Sequence, residues 1–173
     1  CPVSNAYNDR MKKLSDLYAE KGVAFIGVNA HKAENAKTIA DHAKEHGFKF
    51  PVLKDAGNKV ADLYTAQVTP EAFVLSAEGK LLYHGRIDDN RKIEKVTKND
   101  LALALDSLLA GKPVASATPR AFGCSIKRMA INSLGNALAS GSSSSFARDD
   151  DPELIRDAVP FATPPMRRAL EAL

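Results

Sequence analysis

Long apolar runs are absent. No stretch of the 173 residues approaches the roughly 20 consecutive apolar positions that a bilayer-crossing helix requires, so no membrane span is expected. Runs of lysine and arginine are absent too: the formal net charge is only +3, and no basic cluster is long enough to suggest a nucleic-acid surface. Cysteine is scarce. Cys1 and Cys124 cannot form the framework of a disulfide-rich domain, and they do not share a C-x-x-C. Without C-x-x-C-H there is no attachment site for covalent haem, and no glycine-rich loop offers a phosphate cradle; no cofactor is expected. Internal repeats are lacking as well. What is there, 45% hydrophobic and 26% charged residues over a chain of this length, suits one globular domain with an appendage.

Hydrophobic periodicity lays out an alternating α/β chain. Tyr7, Met11, Leu14 and Tyr18 recur at helical spacing between Cys1 and Gly22, and Gly22 is the expected stop. Val23-Ala24-Phe25-Ile26-Gly27-Val28 is a continuous apolar run, the pattern of a strand covered on both faces. Ala36, Ile39, Ala40 and Ala43 stripe a second helix ending at Gly47, followed by a short strand at Phe50-Pro51-Val52-Leu53 and a short helix carrying Val60, Ala61 and Tyr64. Residues 73–76 and 80–85 predict a hairpin around Ala77-Glu78-Gly79. Asp100 opens a last helix with Leu101, Leu105, Leu108 and Leu109 on one face and Gly111 beyond it. The core sheet is expected from the runs near 23–28, 72–76 and 80–85.

From Lys112 the composition changes. Residues 113–119 are rich in alanine, serine and proline and read as an extended tail, and 125–139 predicts a helix with Ile126, Met129, Ala130 and Leu134 on one face. Residues 140–146 have flexible-linker composition. Asp151 and Pro152 cap another short helix, and a further helical pattern runs from Met166 to Leu173.

Two places carry chemistry. Cys1-Pro2-Val3-Ser4 opens the first helix, where the unpaired N–H groups and the dipole of the first turn favour a thiolate over a thiol. Cys1 is therefore the candidate nucleophile, set against a buried structural thiol; a lipid-bearing terminus is disfavoured because no tether separates Cys1 from its helix. Ser4 stands where a second cysteine would complete C-x-x-C. Its hydroxyl either hydrogen-bonds the thiolate or caps the first turn, and it cannot resolve a mixed disulfide. Val68-Thr69-Pro70 leads directly into the apolar Ala72–Leu75, and a cis bond from Thr69 to Pro70 is predicted, with that backbone edge against the sulfur of Cys1. Cys124 is a resolving thiol if the proline-rich tail folds back across the domain, and otherwise an uninvolved tail cysteine.

Other motifs read more plainly. His42-Ala43-Lys44-Glu45-His46 spells H-x-x-E-H, with both histidines on one helical side, but its surroundings are rich in lysine and glutamate and no third ligand is evident. A solvated helix face is expected there, and no metal. His31 and His84 read as surface or packing histidines, and Arg86 as half of an ion pair with Asp88 or Asp89.

The stretch from Cys1 to Arg128 resembles the redoxin branch of the thioredoxin superfamily, the alkyl hydroperoxide reductase/thiol-specific antioxidant relatives. The phrases that carry the likeness are Cys1 to Tyr7, Gly22 to Asn29, Phe50 to Asp55, Val68 to Leu75, Tyr83 to Asp89 and Phe122 to Arg128. It implies a thioredoxin-like three-layer α/β sandwich over residues 1–124 that lacks its opening strand, leaving a gap between the runs at 23–28 and 73–76. It also implies thiol chemistry at a site of Cys1, Ser4, Thr69 and Pro70. The implied substrate is a peroxide or a protein disulfide, and the implied partner a reducing thiol. Residues 125–173 are read as a short helical appendage, and Met129–Leu138 with Phe146–Leu154 resembles the start of the T-component of TRAP transporters, which implies a periplasmic or extracytoplasmic setting. The alternative reading of the whole is a redox-silent thioredoxin-fold binding module, its Thr69-Pro70 edge docking an extended partner within a transport system.

Overall fold

The computed structural model describes residues 1–128. The expected linker at 140–146 and the transporter-like segment lie outside the described residues.

Two helical pieces open the chain. A single turn, α1 (Pro2–Asn5), is followed by α2 (Asn8–Ala19), in place of the one continuous helix expected. Between them the winding tightens: Tyr7 N–H donates to the Ser4 carbonyl at 2.9 Å and Ala6 N–H to the Val3 carbonyl at 3.2 Å, the three-residue spacing of a 3-10 turn. Tyr7 and Tyr18, each 1% exposed, seat the pair in the core, with Met11 and Leu14 packed beside them as the spacing predicts.

Strand β1 occupies only Gly27–Asn29 and pairs in parallel with β2 (Val52–Lys54), Gly27 opposite Val52. The helix α3 (Ala36–Glu45) makes the crossover, its Asn35 side chain accepting from Thr38 N–H at 2.8 Å. The run Val23–Ile26 is thus apolar without being strand, because the ladder reaches β2 only from Gly27 onward. Val28 is 46% exposed, so the expected burial on both faces does not hold there. A short α4 (Lys59–Leu63) leads to β3 (Val68–Thr69), then to the hairpin β4 (Ala72–Leu75) and β5 (Leu81–Gly85). The hairpin turns at the expected place, Ser76 N–H donating to the Lys80 carbonyl at 2.8 Å, with a register shift between Val74 and Leu75.

Helix α5 (Asp100–Leu109) buries Leu101, Ala104 and Leu105 against Tyr7, Tyr18, Tyr83 and Ile87. Leu109 faces outward, 46% exposed, because a 3.6-residue period puts Ala104 on the core stripe and turns Leu109 off it. Gly47 and Gly111, at φ of 64° and 67°, take the left-handed conformation just past α3 and α5, which a side chain would disfavour. Finally β6 (Cys124–Ser125) pairs antiparallel with β3.

The strands form three two-stranded ladders, β1–β2, β3–β6 and β4–β5, and among the described residues no ladder joins β1 to β4. The break between β1 and β4 is the gap expected between the runs at 23–28 and 73–76, and β4 pairs directly with β5 as the hairpin reading requires. Residues 125–128, expected to start a helix in the appendage, instead pair with the preceding elements. Ser125 lies in β6, Ile126 N–H donates to the Gln67 carbonyl at 3.1 Å, and the Lys127 carbonyl accepts from Lys32 N–H at 3.1 Å. No helix among the described residues is long and apolar enough to cross a membrane.

Candidate functional site

Cys1 is held from two sides. Its turn is anchored to the core by Tyr7, whose hydroxyl donates to Asp88 at 2.9 Å. Arg10, one turn further along, donates to the other Asp88 oxygen at 2.5 Å and to the Asn90 carbonyl at 2.8 Å, and its guanidinium carbon lies 3.7 Å from the centre of the Tyr7 ring. Arg91 reaches back to the Pro2 carbonyl at 3.5 Å. The loop after β5 is thus tied to the first turn of the chain, and Asp88 serves Tyr7 and Arg10 rather than Arg86. Arg86 pairs with Asp100 at 2.6 Å, because Asp100, in the first turn of α5, faces it across the start of the helix.

At that first turn Cys1 is itself the cap. Its Sγ accepts from the backbone N–H of Ser4 at 3.5 Å, and Pro2 occupies the first helical position, where the missing N–H costs nothing. The contribution of Ser4 to the sulfur is therefore its backbone N–H, where the sequence pointed to the hydroxyl. Only one turn of helix stands behind Cys1, so the local N–H groups matter more than a long helix dipole.

The Thr69–Pro70 bond is cis, as predicted. Pro70 is buried, and the Thr69 carbonyl oxygen lies 3.9 Å from Cys1 Sγ. The turn is organised by Glu71, whose carboxylate accepts from Gln67 N–H at 2.8 Å and contacts His84 Nε2 at 2.6 Å. His84 also stacks on Phe73, with ring centroids 4.3 Å apart, so it is a packing histidine with an acidic partner.

The tail closes the site. After α5 the chain runs along β5, His84 N–H donating to the Ala117 carbonyl at 2.8 Å and Arg86 N–H to the Pro119 carbonyl at 3.3 Å. Phe122 packs against the core, and β6 then sets Cys124 opposite Thr69. There Cys124 and Cys1 form a disulfide across 123 residues, with Cα atoms 6.5 Å apart. All five candidate site residues, Cys1, Ser4, Thr69, Pro70 and Cys124, are brought together.

Gly123 belongs with them and was not singled out from the sequence. A Cβ there would overlap the carbonyl oxygen of Thr69 and lie 2.7 Å from its carbonyl carbon. Gly85 plays a similar part upstream, where a Cβ would overlap the carbonyl oxygen of Pro119 and meet its ring at 2.9 Å. A glycine directly before a cysteine was the available signal, since glycine in an extended segment often marks close backbone approach.

His42, Glu45 and His46 lie on one side of α3, their ligand atoms within 4.8 Å of one another, the two histidines half-buried and Glu45 exposed. Asn8, 4% exposed, holds His42 Nε2 at 3.2 Å. This cluster stands apart from the site, with no member among the contacts of Cys1.

Residues 1–84 match the AhpC/TSA family. A hypothetical protein from Sinorhizobium meliloti 1021 has a similar structure, with a TM-score of 0.70 and 35% identity over 75% of each chain. The chain is a thioredoxin-superfamily redoxin. An uncharacterized conserved protein from Geobacillus kaustophilus is as similar in fold to this redoxin, with a TM-score of 0.70 and 32% identity over 75% of this chain and 72% of that one. Over 72 residues the redoxin is 33% identical to the thiol-disulfide oxidoreductase ResA of Bacillus cereus and 32% to that of Bacillus anthracis. Those alignments span 42% of this chain and 40% of each relative. The α/β fold expected from the sequence is thus the thioredoxin-like one.

Proposed function

We propose that this redoxin is a thiol-based oxidoreductase in which Cys1 is the nucleophile and Cys124 resolves the product. The observation that carries the reading is the Cys1–Cys124 disulfide, seated at a helix start and beside the cis Thr69–Pro70 bond. In the reduced chain the Ser4 N–H stabilises the Cys1 thiolate, and the Thr69-Pro70 edge positions what it attacks.

Two substrates lead to the same oxidised product. With a disulfide, the Cys1 thiolate attacks one sulfur, a mixed disulfide forms and the other sulfur leaves as a thiolate. Cys124 then attacks Cys1 Sγ and releases the reduced substrate. With a peroxide, the thiolate attacks the terminal oxygen, the O–O bond breaks and the alkoxide or hydroxide leaves with a proton; the sulfenic acid then condenses with Cys124, releasing water. Either way the chain loses two electrons, and two thiol groups of an external reductant restore it, leaving as a disulfide. The curated relatives are named as thiol-disulfide oxidoreductases, which favours the disulfide route.

The test is a cysteine pair of variants. Cys1→Ser should abolish turnover, whereas Cys124→Ser should complete a single attack and accumulate the mixed disulfide or sulfenic acid, visible by mass spectrometry. Retained turnover in Cys1→Ser would remove Cys1 from the mechanism. Rapid alkylation of reduced Cys1 at mildly acidic pH separates this reading from a redox-silent binding module.

A further inference from the structure

Strand β6 is two residues long, yet it carries the disulfide, and what holds it in place is backbone. Thr69 faces Cys124 and Val68 faces Ser125 in antiparallel register, and Ile126 N–H extends the pairing to the Gln67 carbonyl at 3.1 Å. Cys124, paired opposite Thr69, is bonded to Cys1, so a residue held in that position and register presents its side chain to Cys1. The residue before it is allowed no side chain: a Cβ at Gly123 would overlap the Thr69 carbonyl and come within 3.3 Å of the Pro70 nitrogen, and both are backbone groups held by the turn. Past the pairing, Arg128 anchors the segment, donating to Asp62 at 2.8 Å and to the Ala66 carbonyl at 2.5 Å.

We propose that the Val68–Thr69 edge is a docking site selective for an extended segment with glycine directly before the reacting cysteine. In the oxidised chain residues 122–128 are its resident occupant, and the disulfide substrate of Cys1 is a polypeptide presented in the same register. This deepens the reading of Cys1 as nucleophile and rests on it. In the reduced chain the tail and the substrate compete for one edge. The substrate docks, Cys1 attacks its glycine-linked cysteine and the substrate's second sulfur leaves as a thiolate. The tail then returns, and Cys124 displaces the substrate from Cys1. Antiparallel backbone pairing supplies the affinity and the missing side chain supplies the selectivity.

The experiment uses the full chain, reduced and carrying Cys124→Ser, so that the attack stops at the mixed disulfide. It is offered a peptide copying residues 121–127, its cysteine capped with a coloured aromatic thiol, and the same peptide with alanine in place of glycine. Attack by Cys1 joins it to the peptide and expels the coloured thiolate, which is followed in time. The tail competes equally with both peptides, so their ratio reports the edge. The glycine peptide should react at least about tenfold faster, the factor that about 1.4 kcal/mol of lost docking produces. Equal rates, or peptides no faster than the free aromatic disulfide, would overturn the docking site and leave Cys1 as nucleophile. Failure of all three reagents to react with Cys1 would overturn the nucleophile reading and the docking proposal with it. In the two-cysteine chain, Gly123→Ala should slow closure of the Cys1–Cys124 disulfide at least about tenfold at unchanged helix content. Unchanged closure there would also overturn the seat, and the peptide comparison stands if that variant does not fold.

Discussion

Asp88, 1% exposed, accepts from the Tyr7 hydroxyl and from Arg10, and so joins the turn that presents Cys1 to the loop beyond β5. Removing one member of a buried charge pair strands the other. Asp88→Ala should therefore destabilise the chain by about 3–5 kcal/mol, read as a lower urea midpoint, and should loosen the turn that presents Cys1. A loss below about 1 kcal/mol would show that Arg10 and Tyr7 find water or other partners. The tyrosines make a second prediction. Burial first, then the neighbouring carboxylates Asp88 and Asp106, push Tyr7 and Tyr18 up to about 12 from an ordinary 10.0, and burial with Asp100 raises Tyr83 as well. The folded chain thus prefers the neutral phenols. Their contribution is whole below pH 10, where the unfolded chain also keeps its protons, and is lost as pH rises from 10 towards 12. Alkaline titration should show stability falling through that window, with these phenols ionising as the chain unfolds. Tyrosines that ionise near pH 10 while circular dichroism stays native would contradict it.

Short helices here depend on borrowed caps. The carboxylate of Asp55, 5% exposed, accepts from Val60 N–H at 3.0 Å and Ala61 N–H at 2.9 Å, so α4 is capped from outside its own first turn. A helix of five residues has no cooperative stability to spare. Asp55→Ala should cost about 1–2 kcal/mol by thermal or urea unfolding, and Asp55→Asn less, because the amide oxygen still accepts one bond. Periodicity found α2, α3, α5 and the β4–β5 hairpin close to their bounds, because those elements bury one face or turn at a recognisable glycine. It overextended the strand at 23–28, since an apolar run records burial and not pairing. It also missed the tightening at Ala6 and Tyr7, which helical spacing alone does not distinguish from continuous helix.

The disulfide closes nearly the whole described chain, 123 residues apart. A cross-link over so long a loop removes much of the entropy of the unfolded state, so reduction should cost roughly 2–5 kcal/mol and lower Tm by roughly 6–15 °C. Scans with and without reductant measure this, and Cys124→Ser should show no response to reductant. An unchanged Tm in the two-cysteine chain would mean that its backbone bonds, Phe122 and the Arg128 contacts hold the tail without the disulfide. The same closure links stability to redox state, because the bond that anchors the tail is the one the proposed reaction makes and breaks.

The residues of the site were legible one at a time. A thiol at a helix start, a Thr-Pro before an apolar strand and a second cysteine in a tail each have a local signature, since capping, proline geometry and composition act within a few residues. Their assembly was not. Whether Cys124 reached Cys1 depended on the path of residues 112–123 along β5, and on the register that sets Cys124 opposite Thr69. Such pairing joins segments dozens of residues apart and leaves no local periodicity to read. Gly123 shows the division most plainly: its sequence says only that a side chain is missing, and the Thr69 carbonyl packed against it supplies the reason.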